Sequence, residues 1–328
     1  MIYSIERLKI QKILLKAVLN NNITSENTIQ VKINFRQQLV RLDPESLILD
    51  FTSIKTVRAD LVVGCDGAFS KTRTELMKHY SGKLIQETFK HRYREFKIPS
   101  NVAFSPNNFL HIWPRKDLML IALPNNDESF TATLFCDFDG IGTDHVAFFK
   151  NNFPDFLEAV GVDRFLKDWS DKGANKLVTV QIDPIGVDKI VLLGDAAHSI
   201  LPFYGQGMNA GFEDVQIFTN HLLTCRDLNE AISKYSRQRI PDAKSIDSLA
   251  RDNYKEMREQ VLSPIFLIRS KALQFINRFF PATVVPRYSM ISFTSIPYSS
   301  IKRREVAQDV IIISVLLFLI FIFFFSDL

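Results

Sequence analysis

Apolar residues recur along residues 5–19 at the spacing of one helical face, which predicts an amphipathic helix. Its apolar stripe consists of Ile10, Ile13, Leu14, Ala17 and Val18. Short alternating or apolar segments follow and predict strands at residues 29–35, 38–42 and 46–51, and a fully apolar strand at residues 61–63. Residues 70–78 predict a second helix, with Ser70 as its N-cap.

The pattern changes between residues 85 and 185. Alternation at residues 129–135 and 176–182 predicts an antiparallel sheet, and a helical segment at residues 146–169 lies between these strands. Residues 189–195 then predict another buried strand, followed by a helix from about residue 207 and helical pattern to about residue 280. Because segments typical of nucleotide binding lie on both sides of the sheet segment, we predict two domains interleaved in sequence.

The C-terminal segment is distinct, since Ser314 is the only polar residue between positions 310 and 325. A membrane span needs about 20 apolar residues, so this run is slightly short. A buried core helix would show a polar face, which this run lacks, and we therefore predict a C-terminal membrane anchor. An interfacial helix or a hydrophobic docking helix is the alternative. Basic residues at 302–304 predict that its start faces the cytoplasm.

Composition excludes several classes of protein. The net charge of +4 over 328 residues, with scattered basic residues, argues against a nucleic-acid partner. The three cysteines form no CxxC pair, and the six histidines show no HxxxH or HxH spacing. We therefore expect neither a disulfide framework nor a metal site.

Residues 60–73 form the first segment with chemical potential. An apolar strand delivers Asp66 and Gly67 to its carboxyl end, which is where ligands bind in an open α/β sheet. Gly67 allows close backbone approach, and Ser70 and Arg73 begin a helix whose free N–H groups can face a phosphate. An ordinary strand, turn and capped helix is the alternative.

Residues 191–214 form the second segment. A buried strand ends at Gly194 and Asp195, whose carboxylate can accept hydrogen bonds from sugar-like hydroxyls. Pro202, Gly205 and Gly207 then predict a tight turn that opens a helix, and the N-terminus of that helix can oppose a developing anion. A plain connecting loop is the alternative.

Together, DG…S..R and GDAAH…P..GQGMN resemble the second and third flavin signatures of the class A flavoprotein monooxygenases. HIWPR at residues 111–115, NYKEMR at residues 253–258 and the apolar tail are similar to the kynurenine 3-monooxygenase family. The resemblance covers essentially the whole chain. It implies an α/β fold in which a FAD/NAD(P)-binding, Rossmann-like parallel sheet is interleaved with an antiparallel-sheet substrate domain, followed by C-terminal helices and a membrane anchor.

The resemblance also implies an activity. FAD would be the cofactor, with NADPH and O2 as co-substrates, in the hydroxylation of L-kynurenine to 3-hydroxykynurenine through a flavin C4a-hydroperoxide. No catalytic side chain is required and none is predicted. The implied location is the mitochondrial outer membrane, with the catalytic part facing the cytosol. Asn253 and Tyr288 would hold the amino-acid end of the substrate. The implied cofactor-binding residues are Arg7, Leu39, Asp66, Gly67, Gly194, Asp195, Pro202, Gly205, Gly207, Met208 and Asn209.

One element of the family pattern is absent from this sequence. None of the twelve glycines lies in a G-x-G-x-x-G, the turn that holds the FAD pyrophosphate. We therefore expect an incomplete parallel sheet that lacks its first βαβ unit. The family's arginine and tyrosine that bind the substrate carboxylate have no counterparts that can be assigned in this sequence. Three hypotheses remain: an N-terminally truncated form of a working enzyme, an inactive membrane-tethered remnant, or a flavin hydroxylase of another aromatic substrate.

The predicted domain organisation follows from these segments. Residues 1–84 form a partial FAD-binding domain, residues 85–185 the antiparallel-sheet substrate domain, and residues 186–222 the rest of the FAD-binding domain. Residues 223–300 form a C-terminal helical region, and residues 301–328 the basic flank and anchor.

Overall fold

The computed structural model describes residues 7–24, 31–54, 56–100, 104, 108–171, 173–258 and 263–325. The chain divides into two compact units. Unit 1 contains residues 1–38 and 89–177, and unit 2 contains residues 39–88 and 178–328. The predicted FAD-binding segment 1–84 is therefore divided between the two units.

The helices and strands are as follows. The helices are α1 (Arg7–Thr24), α2 (Lys71–His79), α3 (His145–Asn152), α4 (Pro154–Val160), α5 (Val162–Asp171), α6 (Asp195–His198), α7 (Gly207–Thr224), α8 (Leu228–Arg258), α9 (Pro264–Phe279), α10 (Arg287–Phe293) and α11 (Tyr298–Phe325). The strands are β1 (Leu39–Asp43), β2 (Ile48–Phe51), β3 (Val57–Arg58), β4 (Val62–Gly64), β5 (Lys83–Ile98), β6 (His111–Arg115), β7 (Leu118–Pro124), β8 (Phe130–Cys136), β9 (Asn175–Asp183), β10 (Gly186–Val187) and β11 (Ile190–Leu192). Single 3-10 turns span Phe138–Gly140 and Pro202–Tyr204.

Unit 1 is built on an antiparallel sheet, as the alternating sequence predicts. The strand order is β6-β7-β8-β5-β9, and β5 and β9 continue into unit 2. Helices α3 to α5 cover an aromatic core in which Phe96, Phe149 and Phe156 are almost fully buried. The helical segment predicted at residues 146–169 is confirmed, but it is divided into three helices, because Pro154 opens a new helix and Gly161, with φ of 80°, ends it.

Unit 2 contains two small sheets. In the first, β4 lies beside β11 in parallel, and β10 pairs antiparallel with β11. In the second, β1, β2 and β3 form an antiparallel sheet. Apolar side chains from both sheets share a core with α2, α7 and α8.

The strand predicted at residues 29–35 is not found where the structure describes this segment, from residue 31 onward. The alternation Val31-Lys-Ile-Asn-Phe35 has the period of a strand, but Val31 is 43% exposed and Phe35 is 66% exposed. Strand formation depends on a surface that buries one face of the strand, and Val31 and Phe35 remain exposed.

The C-terminal part of unit 2 is helical. Helix α11 continues through the predicted anchor at residues 310–325, and the side chains from residue 315 onward lie outside the described residues. In the part of the chain that the structure describes, no helical segment combines the length and the hydropathy that crossing a membrane requires.

Candidate functional site

The two predicted ligand-facing segments emerge at the same sheet edge of unit 2. Val63 pairs with Val191 and Gly64 with Leu192 in parallel register, and Leu193 N–H donates to the Gly64 carbonyl at 3.0 Å. Parallel neighbours present their carboxyl ends on the same side, which is where α/β sheets bind ligands. The approach of α2 to β4 requires Gly64, because a Cβ there would lie 2.8 Å from Cγ2 of Thr72.

Asp66 folds the loop after β4 around the start of α2. Its Oδ1 accepts from the Ser70 hydroxyl at 2.5 Å, and its Oδ2 accepts from the Thr72 amide at 2.9 Å and the Thr72 hydroxyl at 3.0 Å. Burial raises the pKa of Asp66, but these hydrogen bonds lower it more, so the pKa of the carboxyl lies below its usual value. Ser70 is the N-cap as predicted, since its hydroxyl accepts from the Arg73 amide at 2.9 Å. Gly67 has φ of 81°, and among the described residues other than its chain neighbours no atom lies within 4 Å of the position that a Cβ would take there.

Arg73 joins the two ligand-facing loops, a role that sequence reasoning missed. The side chain is 2% exposed, and it donates to the Ala196 carbonyl at 2.8 Å, the Ala68 carbonyl at 2.6 Å and Oε1 of Gln86 at 3.1 Å. Ala68 belongs to the loop after β4 and Ala196 to the helix after β11. The only sequence signal was an arginine in the first turn after an Asp-Gly, which is equally typical of a solvated helix residue.

A buried carboxylate on α7 anchors the turn after β11. Asp214 is fully buried; its Oδ2 accepts from the Gly194 amide at 2.8 Å and lies 2.6 Å from Nε2 of His198. Its Oδ1 accepts from Nε of Arg239 on α8 at 2.7 Å. Burial raises the pKa of Asp214, but His198, Arg239 and the Gly194 amide lower it more, so the group stays ionised at neutral pH. This charge therefore ties the turn to α7 and α8.

Gly194 occupies a backbone region that only glycine adopts without strain. Its φ is 57° and its ψ is −141°, and a Cβ on Gly211 of α7 would lie 3.6 Å from the Gly194 Cα. The contact between these two glycines brings α7 beside the exposed Asp195, whose Oδ1 lies 4.0 Å from the position of a Cβ on Gly207. Asp195 and the first residue of α7 thus share one surface.

The N-terminus of α7 follows the 3-10 turn Pro202–Tyr204. Gly205 closes that turn in the left-handed region, with φ of 65°. Gln206, the N-cap of α7, makes no side-chain cap hydrogen bond, because its Oε1 instead accepts from Asn209 at 3.1 Å and the Tyr298 hydroxyl at 3.2 Å. The amides in the first turn of α7 are consequently not capped by Gln206, and the exposed Met208 lies beside them.

The two predicted substrate residues lie in different surroundings. Asn253 is buried on α8, and its Nδ2 donates to the Phe203 carbonyl at 3.0 Å, so it joins α8 to the 3-10 turn. Tyr288 is 41% exposed and lines a cavity of about 360 Å³ in unit 2, with Glu256, Arg287 and Glu305. Asn253 is not among the described residues that line this cavity.

The remaining predicted cofactor residues fall in separate units. Leu39 begins β1 in unit 2, opposite Phe51, where it packs against the core. Arg7 is the first residue of α1 in unit 1, and its side chain lies outside the described residues. The site in unit 2 therefore consists of two loops at one sheet edge and the start of α7, and its open backbone and exposed carboxylate fit the polar edge of a flavin and its ribityl chain.

Comparison with known proteins agrees with this geometry. The family model "FAD binding domain" matches residues 11–248. The chain is 38% identical to kynurenine 3-monooxygenase of Drosophila willistoni, over 94% of this chain and 69% of that protein. The chain belongs to the kynurenine 3-monooxygenase family. It is also 37% identical to kynurenine 3-monooxygenase of Anopheles gambiae, over 96% of this chain and 66% of that protein, and so spans about two thirds of these relatives.

Solved structures share the fold of this family member. A 2-methyl-3-hydroxypyridine-5-carboxylic acid oxygenase matches with a TM-score of 0.60 and 21% identity, over 77% of this chain and 69% of that chain. An HpxO variant of Klebsiella pneumoniae, complexed with FAD, matches with a TM-score of 0.62 and 16% identity, over 84% of this chain and 72% of that chain. The mixed α/β fold is therefore that of the class A flavin monooxygenases.

Proposed function

We propose that this chain acts in the FAD-dependent, NADPH-using hydroxylation of L-kynurenine to 3-hydroxykynurenine. The observation that carries the proposal is the convergence of the loops after β4 and β11 with the start of α7 at one sheet edge. Membership of the kynurenine 3-monooxygenase family supplies the substrate and the reaction.

The proposed cofactor contacts divide between charge and open backbone. Asp195 would accept hydrogen bonds from the ribityl hydroxyls, and the amides at the start of α7, near Met208 and Asn209, would oppose negative charge on the flavin ring. Gly67 and Gly205 would admit the cofactor close to the backbone, with Pro202, Gly194 and Gly207 shaping the same surface. Bound FAD would supply the redox chemistry, taking electrons from NADPH and activating O2.

The proposed substrate contacts surround the 3-10 turn. Phe203 stacks on Tyr254 at 4.2 Å between ring centroids, and its carbonyl accepts from Asn253, so Phe203 would form a fixed aromatic wall beside the flavin. Tyr288 would place its hydroxyl toward the amino-acid end of the substrate. The role of this chain is to orient the aromatic ring and to exclude water, since the substrate's own ring amine activates the carbon that is hydroxylated.

The proposed location is the mitochondrial outer membrane, with residues 310–325 as anchor and the catalytic part in the cytosol. The basic residues at 302–304 beside an apolar run support this orientation. If the segment anchors the chain, a chain ending at residue 309 will be released from mitochondrial membranes by carbonate at high pH, whereas the full chain will remain. Release of both would contradict the anchor.

The absorbance spectrum of the purified chain, with and without added FAD, tests the cofactor site. We expect the wild-type chain to retain flavin bands after gel filtration and Asp195→Ala to lose them. Asp60→Ala is the matched control, because this exposed carboxylate lies before β4, at the amino end of the strand and away from the loops that follow β4 and β11. An Asp195→Ala chain with full yellow absorbance would overturn the assignment.

Product analysis by mass spectrometry then tests the reaction, with NADPH and L-kynurenine or a simple phenol as substrate. Formation of 3-hydroxykynurenine supports the proposal. A folded, monodisperse chain that takes up no flavin would contradict it in favour of an inactive remnant, and turnover of the phenol alone would assign a different substrate.

A further inference from the structure

Arg287 links three helices of unit 2. It begins α10, and its Nε lies 3.0 and 2.9 Å from the two carboxylate oxygens of Glu305 on α11, with Nη2 2.7 Å from Oε1. Nη1 lies 3.8 Å from Oε2 of Glu256 on α8. The side chains of Arg287 and Glu305 are only 27% and 19% exposed, so this forked ion pair is held more firmly than a surface pair.

Helix α10, which Arg287 begins, packs against the 3-10 turn Pro202–Tyr204 that precedes α7. Tyr204 is 5% exposed, and its ring lies 6.0 Å from that of Tyr288. Burial raises the pKa of the Tyr204 hydroxyl, and the nearby positive charge of Arg287 opposes that rise. By fixing the start of α10 to α11, Arg287 therefore keeps Tyr288 beside Tyr204 and α10 against the turn.

The position of Tyr204 determines where the next residues lie. Gly205 follows it in the left-handed region, and Gln206 then occupies the N-cap position of α7, the helix whose first amides belong to the proposed flavin site. A loosened Tyr204 would let this turn move and would admit water beside the ring.

We propose that Arg287 is a positioning residue that acts through α10, and its Tyr288–Tyr204 contact, on the turn at residues 202–206. The effect on turnover rests on the proposed function. In the productive reaction, NADPH, H⁺, O2 and substrate give NADP⁺, water and the hydroxylated ring, with one oxygen atom in each of the last two. When the turn is loose, NADPH, H⁺ and O2 give NADP⁺ and H2O2, and no C–O bond forms. Arg287 thereby sets the share of electrons that ends in product.

The test compares Arg287→Met/Glu305→Gln with Lys302→Met. The double substitution removes both partners of the forked pair, so that Glu305 is not left as a partly buried charge without its arginine. Lys302→Met is the matched control, because Lys302 also joins α11 to α8, through Asp252 at 2.9 Å, but takes no part in the Tyr204 contact. Hydrogen exchange of residues 202–210 is measured without cofactor; FAD affinity and the ratio of H2O2 to consumed NADPH are measured with it.

We expect exchange at residues 202–210 to be about tenfold faster in the double variant, as for one lost charge-assisted hydrogen bond. We also expect weaker FAD binding, a larger H2O2 share and wild-type values for Lys302→Met. Arg287→Lys, which keeps the charge without the fork, should recover part of the effect. Unchanged exchange in a folded double variant, or an equal increase in Lys302→Met, would overturn the inference. A wild-type chain without turnover would contradict the proposed function alone, because the exchange comparison does not depend on it.

Discussion

Replacing Asp214 with asparagine isolates the charge that anchors the turn after β11. The substitution keeps the shape of the side chain but removes its negative charge and introduces two N–H donors. Asp214 now accepts from the Gly194 amide and from Arg239 and lies beside His198, so an amide at this position must place a donor against a donor.

The expected cost follows from the contacts that remain. Loss of a hydrogen bond between charged groups costs about 1.5–3 kcal/mol, and breaking a buried ion pair costs roughly 3–5 kcal/mol. Arg239 would keep Glu213 at 2.9 Å and Asp242 at 3.3 Å, which limits the penalty to the lower part of these ranges. We therefore expect a loss of about 3 kcal/mol in the free energy of unfolding, and a fall of roughly 5–10 °C in the Tm of unit 2.

The assay is thermal and urea unfolding followed by near-UV circular dichroism, with FAD affinity measured from flavin fluorescence. Because the Gly194 amide loses a charged acceptor, we also expect FAD to bind about tenfold more weakly. Glu213→Gln is the control. Glu213 precedes Asp214 on α7 and pairs with the same Arg239, but its side chain is 35% exposed. Its loss should cost less than about 1 kcal/mol. Equal Tm values for the two variants would refute the reasoning that burial makes Asp214 decisive.

Two further predictions concern the same sheet edge. Asp66 and Asp214 both have a folded-state pKa below the usual value, so the stability that their charges contribute is complete above the unfolded-state pKa, near 4, and is lost as pH falls through the lower folded-state values. The difference in the free energy of unfolding between wild type and Asp214→Asn, measured in urea, should therefore disappear below about pH 4. A difference that stays constant with pH would contradict this. Gly194→Ala should lower the free energy of unfolding by about 1–3 kcal/mol and weaken FAD binding, because residue 194 has a positive φ. Gly211→Ala should cost less in the same unfolding assay, because its Cβ would make an ordinary 3.6 Å contact. The reverse order would show that crowding, and not backbone strain, determines the loss of stability.

Much of the site could be predicted from local sequence. Two short apolar strands depend only on neighbouring residues; one is followed by Asp66 and Gly67 and the other by Gly194 and Asp195. Ser70 caps α2 through a hydrogen bond from the amide of Arg73, three residues further along the chain. The strand predicted at residues 29–35 failed where the structure describes it, because an alternating pattern needs a partner strand that local sequence does not provide.

The sequence by itself determined the family, the loops that follow the two apolar strands and the helix that follows each loop, since glycines, caps and apolar strands act over a few residues. Only the tertiary structure decided that β4 lies parallel to β11, that Arg73 joins the two loops, and that Asp214 is fully buried beneath Gly194. The physical reason is that a charged side chain on a helix has the same local sequence whether it is solvated or buried. Its role depends on the partners that distant segments bring to it, as Arg239 is brought to Asp214.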